Sequence, residues 1–209
     1  DELSLKLDKH LKSSDIEKLH TPVIPGPVSH VAIPVDEKGE RTIVVISDDK
    51  LDQVSLEGLP IQADDIVAFV IWRNSFVKDL KFAQKAGAIT VVGSAALTDL
   101  QVLAADYLIG SRDDFSGDYS VEQALTRFTH VIVTSGAEGA TFYSAQGAIF
   151  QPAEEAKVVD TTGAGDAFLS ALLHYLVINK TIDAKALAFA ARWSALTVSA
   201  EGSIPPRFA

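Results

Sequence analysis

The chain has 209 residues, enough for one well-buried core with a small appendage, since domains typically run to about 100 to 200 residues. Its composition, 47% hydrophobic and 22% charged, is that of an ordinary globular protein with little room for extended disorder, and no apolar run reaches the roughly 18 residues of a membrane span. Lys and Arg total 18 against 28 Asp and Glu, a net charge of -10 that repels nucleic acid and anionic lipid, so any phosphate has to be held by local geometry.

Cysteine is absent, which excludes a disulfide scaffold and thiol chemistry and fits a reducing, cytoplasmic setting. Methionine is absent too, and residues 1–11 already form an amphipathic mixture of Leu and Lys, as expected of a chain that begins internally.

Taken in order, residues 1–11 read as a helix ending at the Ser13-Ser14-Asp15 turn. After a proline-rich stretch, 28–34 and 41–47 read as two strands joined by a turn over 36–40. This pair is the small appendage, 23–47, with 1–22 and 48–209 assigned to the main core. From residue 65 short apolar runs alternate with amphipathic ones: strand 66–71, helix 75–86, strand 88–92, helix 97–104, strand 106–109, helix 121–128 and strand 131–134. That alternation predicts a mostly parallel sheet in an α/β layered core with helices on both faces. Segments 140–144 and 148–151 flank Gln146-Gly147 as a hairpin, two helices follow over 165–178 and 183–199, and the Pro205-Pro206 tail reads as a loop.

The chemistry concentrates in Asp160-Thr161-Thr162-Gly163-Ala164-Gly165-Asp166-Ala167-Phe168, which runs straight into an apolar helix. Glycines around Ala164 permit backbone conformations in which successive N–H groups converge, at a helix start whose amides lack intrahelical partners. The Gly163, Ala164 and Gly165 amides therefore make a candidate anion hole that needs no lysine. Asp166 beside it is placed to face an acceptor hydroxyl and take its proton during phosphoryl transfer. Taken alone, the Gly-Ala-Gly-Asp tetrapeptide serves equally as a glycine-rich turn with Asp capping the helix.

The longer string resembles the second signature of the ribokinase/PfkB family of sugar and nucleoside kinases. Val131-Ile-Val-Thr-Ser-Gly-Ala-Glu-Gly-Ala140 is similar to that family's strand and glycine turn at the nucleotide, with Thr134, Gly136 and Gly139 in matching places. The resemblance implies a ribokinase-like layered αβα fold with a small β lid, and ATP and Mg2+ as co-reactants; exposed edges of the two lid strands, which favour pairing, suggest a homodimer. It also implies a monovalent cation such as K+ beside Asp160 and Thr162, completed by the late loop Ala200-Glu201-Gly202-Ser203. Read from the residues, Asp160 serves equally to cap the turn or to pair with Lys157.

Three departures stand out. The family's Asn-x-x-Glu motif for magnesium falls at 109–115, where Ser111 replaces the asparagine and Asp113 or Asp114 is the acid that would hold magnesium through water. Where some relatives place a polar group near adenine, this chain has Phe189-Ala190-Ala191. The family's first strand-helix-strand unit, which supplies sugar contacts, has no counterpart here. The Trp72-Arg73-Asn74 loop after a strand end is either a sugar contact or plain surface.

No P-loop or dinucleotide fingerprint occurs, and the five histidines have no metal-ligand spacing. The expected function is ATP-dependent phosphorylation of a sugar or sugar-like alcohol. A nucleoside kinase, or a nucleotide-binding but catalytically silent member, is the alternative.

Overall fold

The computed structural model describes residues 2–14, 24–26, 31–34, 44–46, 50–102, 104–115 and 118–202. They divide into two units, Asp1–Leu56 and Glu57–Ala209. In the first, helix α1 (Glu2–Lys12) carries i,i+4 ion pairs from Lys6 to Glu2 at 2.8 Å and from Lys12 to Asp8 at 2.7 Å. Strands β1 (Val31–Ala32) and β2 (Val44–Val45) pair antiparallel, so both expected lid strands have a described portion. The expected turn over 36–40 and the outer ends of those strands lie outside the described residues.

The second unit is built on a six-stranded sheet in sequential order: β3 (Ile66–Phe69), β4 (Ile89–Gly93), β5 (Ala105–Ser111), β6 (Phe128–Thr134), β7 (Gly139–Ser144) and β8 (Gly147–Pro152). Strands β3 to β6 run parallel, and β7 and β8 return antiparallel as the expected hairpin. Side chains alternate between faces with period two. Val91, Tyr107, Ile132 and Phe142 point to the side covered by α4 (Ala164–Asn179) and α5 (Ala184–Val198), packing against Phe168, Leu172, Leu176, Leu187 and Ala190. Val92 and Leu108, fully buried, point to the other side, where α2 (Val77–Ala86) packs on β4 through the buried Leu80 and Ala83. Caps set several of these limits. Gly87 ends α2 in the left-handed region, and the Asp183 carboxylate starts α5 by accepting from the Ala186 amide at 2.9 Å.

Two expected helices differ from what forms. Over 97–104 the described chain has only the end of a 3-10 turn, Ser94–Leu97, followed by irregular structure. The Arg127 guanidinium takes the acceptors a helix would use, donating to the carbonyls of Leu97 (2.8 Å), Asp99 (2.7 Å) and Val102. The helix expected over 121–128 is the single turn α3 (Val121–Ala124), started by a Ser120/Gln123 capping box. It stops early because Phe128, 1% exposed, is drawn into the sheet as the first residue of β6.

His130 lies on β6 between two aromatic rings, 4.6 Å from Tyr107 and 5.3 Å from Phe142 by centroid. Burial lowers its pKa below the ordinary imidazole value, against the raising effects of a 3.2 Å contact from Nδ1 to the Asp106 carbonyl and of the Asp106 charge. The folded chain therefore binds fewer protons here than the unfolded chain just below pH 6.5. Stability is complete above that pH and declines as the pH falls through the lowered folded value. Urea unfolding of His130→Phe between pH 5 and 7.5 is expected to show a flatter pH dependence than the wild type; an unchanged slope would mean another group controls it.

Candidate functional site

The carboxyl edge of the parallel strands is where open α/β sheets place ligands, and here two glycine-containing turns meet. After β6, residues Gly136–Glu138 form a single 3-10 turn, with the Ser135 amide donating to the Gly139 carbonyl at 2.7 Å. Gly139 has φ 125°, and a Cβ there would lie 2.1 Å from the Gln151 carbonyl oxygen, so no larger residue fits without moving β8.

The second turn opens α4. Asp160 Oδ1 accepts from the Thr162 amide at 2.8 Å and from Thr162 Oγ1 at 2.6 Å, while Oδ2 accepts from the Gly202 amide at 3.2 Å. The Val159 and Asp160 amides donate to the Val198 carbonyl, which ties the turn to the end of α5. Gly163 then takes the left-handed conformation, φ 77°, as the residue before the helix. The Ala164 amide donates to the Thr161 carbonyl over a long 3.3 Å, and the first intrahelical bond is Ala167 N to Gly163 O at 2.8 Å. The Gly165 and Asp166 amides stand in the first turn, where the helix supplies no acceptor.

Both turns border one cavity of about 450 Å³, within the range of small-molecule sites. Its walls include Thr134, Gly136 and Gly139 from the first turn and Thr161, Ala164 and Gly165 from the second. Phe168 and residues 153–156 add to it, as does the α5 face of Ala191, Ser194, Ala195 and Val198. Asp166 is exposed on the first turn of α4, next to the cavity residue Gly165.

The residues read from the sequence thus divide. Thr134, Gly136, Gly139, Ala164 and Gly165 share the cavity wall, with Gly163 and Asp166 on either side of the last two. Asp160 and Thr162 form the turn beneath and reach the late loop through Gly202; Ser203 lies outside the described residues.

Asp114 is turned back on its own segment, accepting from the Ser111 amide (2.6 Å) and Ser111 Oγ (2.8 Å). Asp113 is exposed, and neither acid borders the cavity. Among the described residues no group of three or more His, Cys, Asp or Glu could hold a metal ion. In the Trp72-Arg73-Asn74 loop, Trp72 is 4% exposed, packed edge-on against Phe69 and Phe76, with Nε1 donating to Asp99 at 3.1 Å, while Arg73 is half-buried and Asn74 exposed.

Sequence reasoning missed the 153–156 wall, for which no local signal exists, and reached the α5 face only at Ala191, because its small residues at i, i+3, i+4 and i+7 mimic ordinary helix packing. It also missed Arg112, whose two guanidinium nitrogens donate to the two Glu138 oxygens, Nη1 to Oε1 at 2.7 Å. That fork holds the Glu138 carboxyl below its ordinary range.

An open α/β sheet with a glycine-opened helix facing a ligand-sized cavity at its carboxyl edge is the arrangement of a small-molecule-binding α/β protein. The chain belongs to the PfkB family: residues 1–207 match the family described as pfkB family carbohydrate kinase. It is 36% identical over 109 residues to the 5-dehydro-2-deoxygluconokinase of Bacillus licheniformis, covering 47% of this chain and 33% of that protein. The match thus spans about a third of that relative's length. Among solved structures, it resembles aminoimidazole riboside kinase from Salmonella enterica complexed with aminoimidazole riboside and an ATP analog. There the TM-score is 0.65 at 25% identity, covering 78% of this chain and 65% of that one. It also shares its fold with ribokinase from Thermotoga maritima, with TM-score 0.75 at 20% identity, covering 97% and 73%.

Gly139→Ala is expected to lower the free energy of unfolding by about 1–3 kcal/mol, from backbone strain and the close approach to Gln151. A urea midpoint unchanged from the wild type would show that the turn relaxes freely.

Proposed function

We propose that this chain serves ATP-dependent phosphoryl transfer to a hydroxyl of a sugar or sugar-like molecule. The observation that carries it is the single cavity joining the Thr134–Gly139 turn to the amide-rich start of α4, with Asp166 one residue beyond Gly165. ATP lies along the cavity with its base toward the small-residue face of α5. Its terminal phosphates lie at the Gly163, Ala164 and Gly165 backbone, where the helix start offers a positive dipole end and the Ala164 amide would exchange its long 3.3 Å bond to Thr161 for one to phosphate. Asp166 accepts the proton of the acceptor hydroxyl, whose oxygen bonds the γ-phosphorus as the bond to the β–γ bridging oxygen breaks; ADP and the phosphate ester leave.

Asp113 or Asp114, which stand outside the cavity wall, would hold magnesium only through water, and the ion would supply charge neutralisation on the nucleotide's phosphates. A monovalent cation at the Asp160–Thr162 turn belongs to the same proposal. Residues 23–47 act as a lid, and a cytoplasmic setting follows the family. A nucleoside acceptor is the second reading, favoured by the aminoimidazole riboside that the Salmonella enterica kinase holds in its complex.

In a phosphoryl-transfer screen against sugars and nucleosides, Asp166→Asn should cut turnover by about 10²–10⁴-fold while ATP affinity changes little. Turnover undiminished by that substitution would remove Asp166 as the base. A wild-type chain that binds ATP and transfers nothing would support the silent, binding-only alternative.

The lid strands expose Val31, Ile33, Val44 and Ile46, apolar edges suited to pairing with a second copy. Light scattering should find a dimer that Val44→Lys shifts toward monomer, and a monomeric wild type at high concentration would end the dimer proposal.

A further inference from the structure

The cavity presents an electrostatic problem. Among the described residues that line it, Glu154 and Glu155 are acidic and none is basic, in a chain of net charge -10. Backbone amides at α4 supply direction and a partial positive charge, yet a nucleoside triphosphate carries several full negative charges. Magnesium would neutralise part of that charge, and a nearby cationic side chain would add a further directional contact.

Arg112 is placed to be that cation. It follows Ser111, the last residue of β5, and Ser111 is paired in register with Thr134, which lines the cavity. Its partner Glu138 belongs to the turn whose Gly136, Ala137 and Gly139 also line the cavity. The ion pair therefore bridges the ends of β5 and β6 at the carboxyl edge. Both side chains are mostly solvent-exposed, 56% for Arg112 and 65% for Glu138. An exposed pair of this kind is weakened by solvent and is readily exchanged, unlike a buried one. The planar guanidinium fork that fits a carboxylate fits a phosphate with the same two parallel bonds.

We propose that Arg112 is a phosphate-binding residue held in reserve by Glu138, exchanging the carboxylate for the β- or γ-phosphate of an entering nucleoside triphosphate. Glu138 is then a competitor for the arginine and not a support for it. This rests on the kinase assignment above and adds a residue to it. The exchange involves no covalent step: two hydrogen bonds to a carboxylate are replaced by two to a phosphate, and Glu138 returns to water.

The test is isothermal titration of the full chain with ATP and, separately, with adenosine, for the wild type, Arg112→Gln, Arg112→Lys and Glu138→Gln. Arg112→Gln is expected to weaken ATP about tenfold and leave adenosine unchanged, with Arg112→Lys intermediate because it keeps charge and loses the fork. Glu138→Gln is expected to tighten ATP severalfold, and these differences shrink as salt is raised. Opposite signs for the two positions are the signature of exchange. If both Gln variants weaken ATP alike, the pair is a strut joining two loops and the proposal fails. It fails equally if Arg112→Gln leaves ATP unchanged, or weakens adenosine as much as ATP. A wild type that binds neither ligand would overturn the kinase assignment, and this proposal with it, whereas wild-type binding with a silent Arg112→Gln overturns this proposal alone.

Discussion

The Asp160 carboxylate fixes where helix α4 begins. By accepting from the amide and hydroxyl of Thr162 on one oxygen and from Gly202 on the other, it holds residues 160–162 in a turn and anchors that turn to the chain beyond α5. Gly163 can then adopt a backbone conformation that a bulky residue would resist, and the helix starts with Gly165 facing the cavity. Shifting that start by one residue would rotate the first turn by about 100° and carry its amides and Asp166 away from the site. A small network of hydrogen bonds thus positions both the backbone of Gly163 to Gly165 and the Asp166 carboxylate beside it.

The sheet supplies the other half. Four parallel strands bring the ends of β5 and β6 side by side, and the return hairpin places residues 153–156 across from α5. None of these walls is strongly charged in favour of phosphate. In an acidic protein, any phosphate bound here would have to be held by short-range, directional N–H contacts and not by a broad positive field.

Legibility in the sequence followed locality. The string from Asp160 to Phe168 could be read because turn, glycines and helix start are contiguous, and the hairpin and most strands because their apolar runs are short and bounded. The cavity as a whole could not, since three of its walls come from distant segments and the α5 wall is only alanine, serine and valine. The burial of Trp72 could not be read from its loop because the carboxylate it bonds, Asp99, lies 27 residues away. Ser111 and Asp114 kept the spacing of a metal-organising motif, yet the Asp114 carboxylate accepts from the Ser111 amide at 2.6 Å and from its hydroxyl at 2.8 Å.

The carbonyls gathered by Arg127 have a kinetic consequence. The segment from Ala96 to Val102 is shaped by a side chain 25 to 31 positions later in the chain. It has no helix of its own to organise it beforehand, so its native path becomes available only once the start of β6 has docked. Contacts of this span raise contact order and delay the rewarding steps of folding until loop closure has been completed. During synthesis, the β4–β5 connection would remain unsettled until residue 127 had left the ribosome, and the parallel pairing of β5 with β6 would lock both at once.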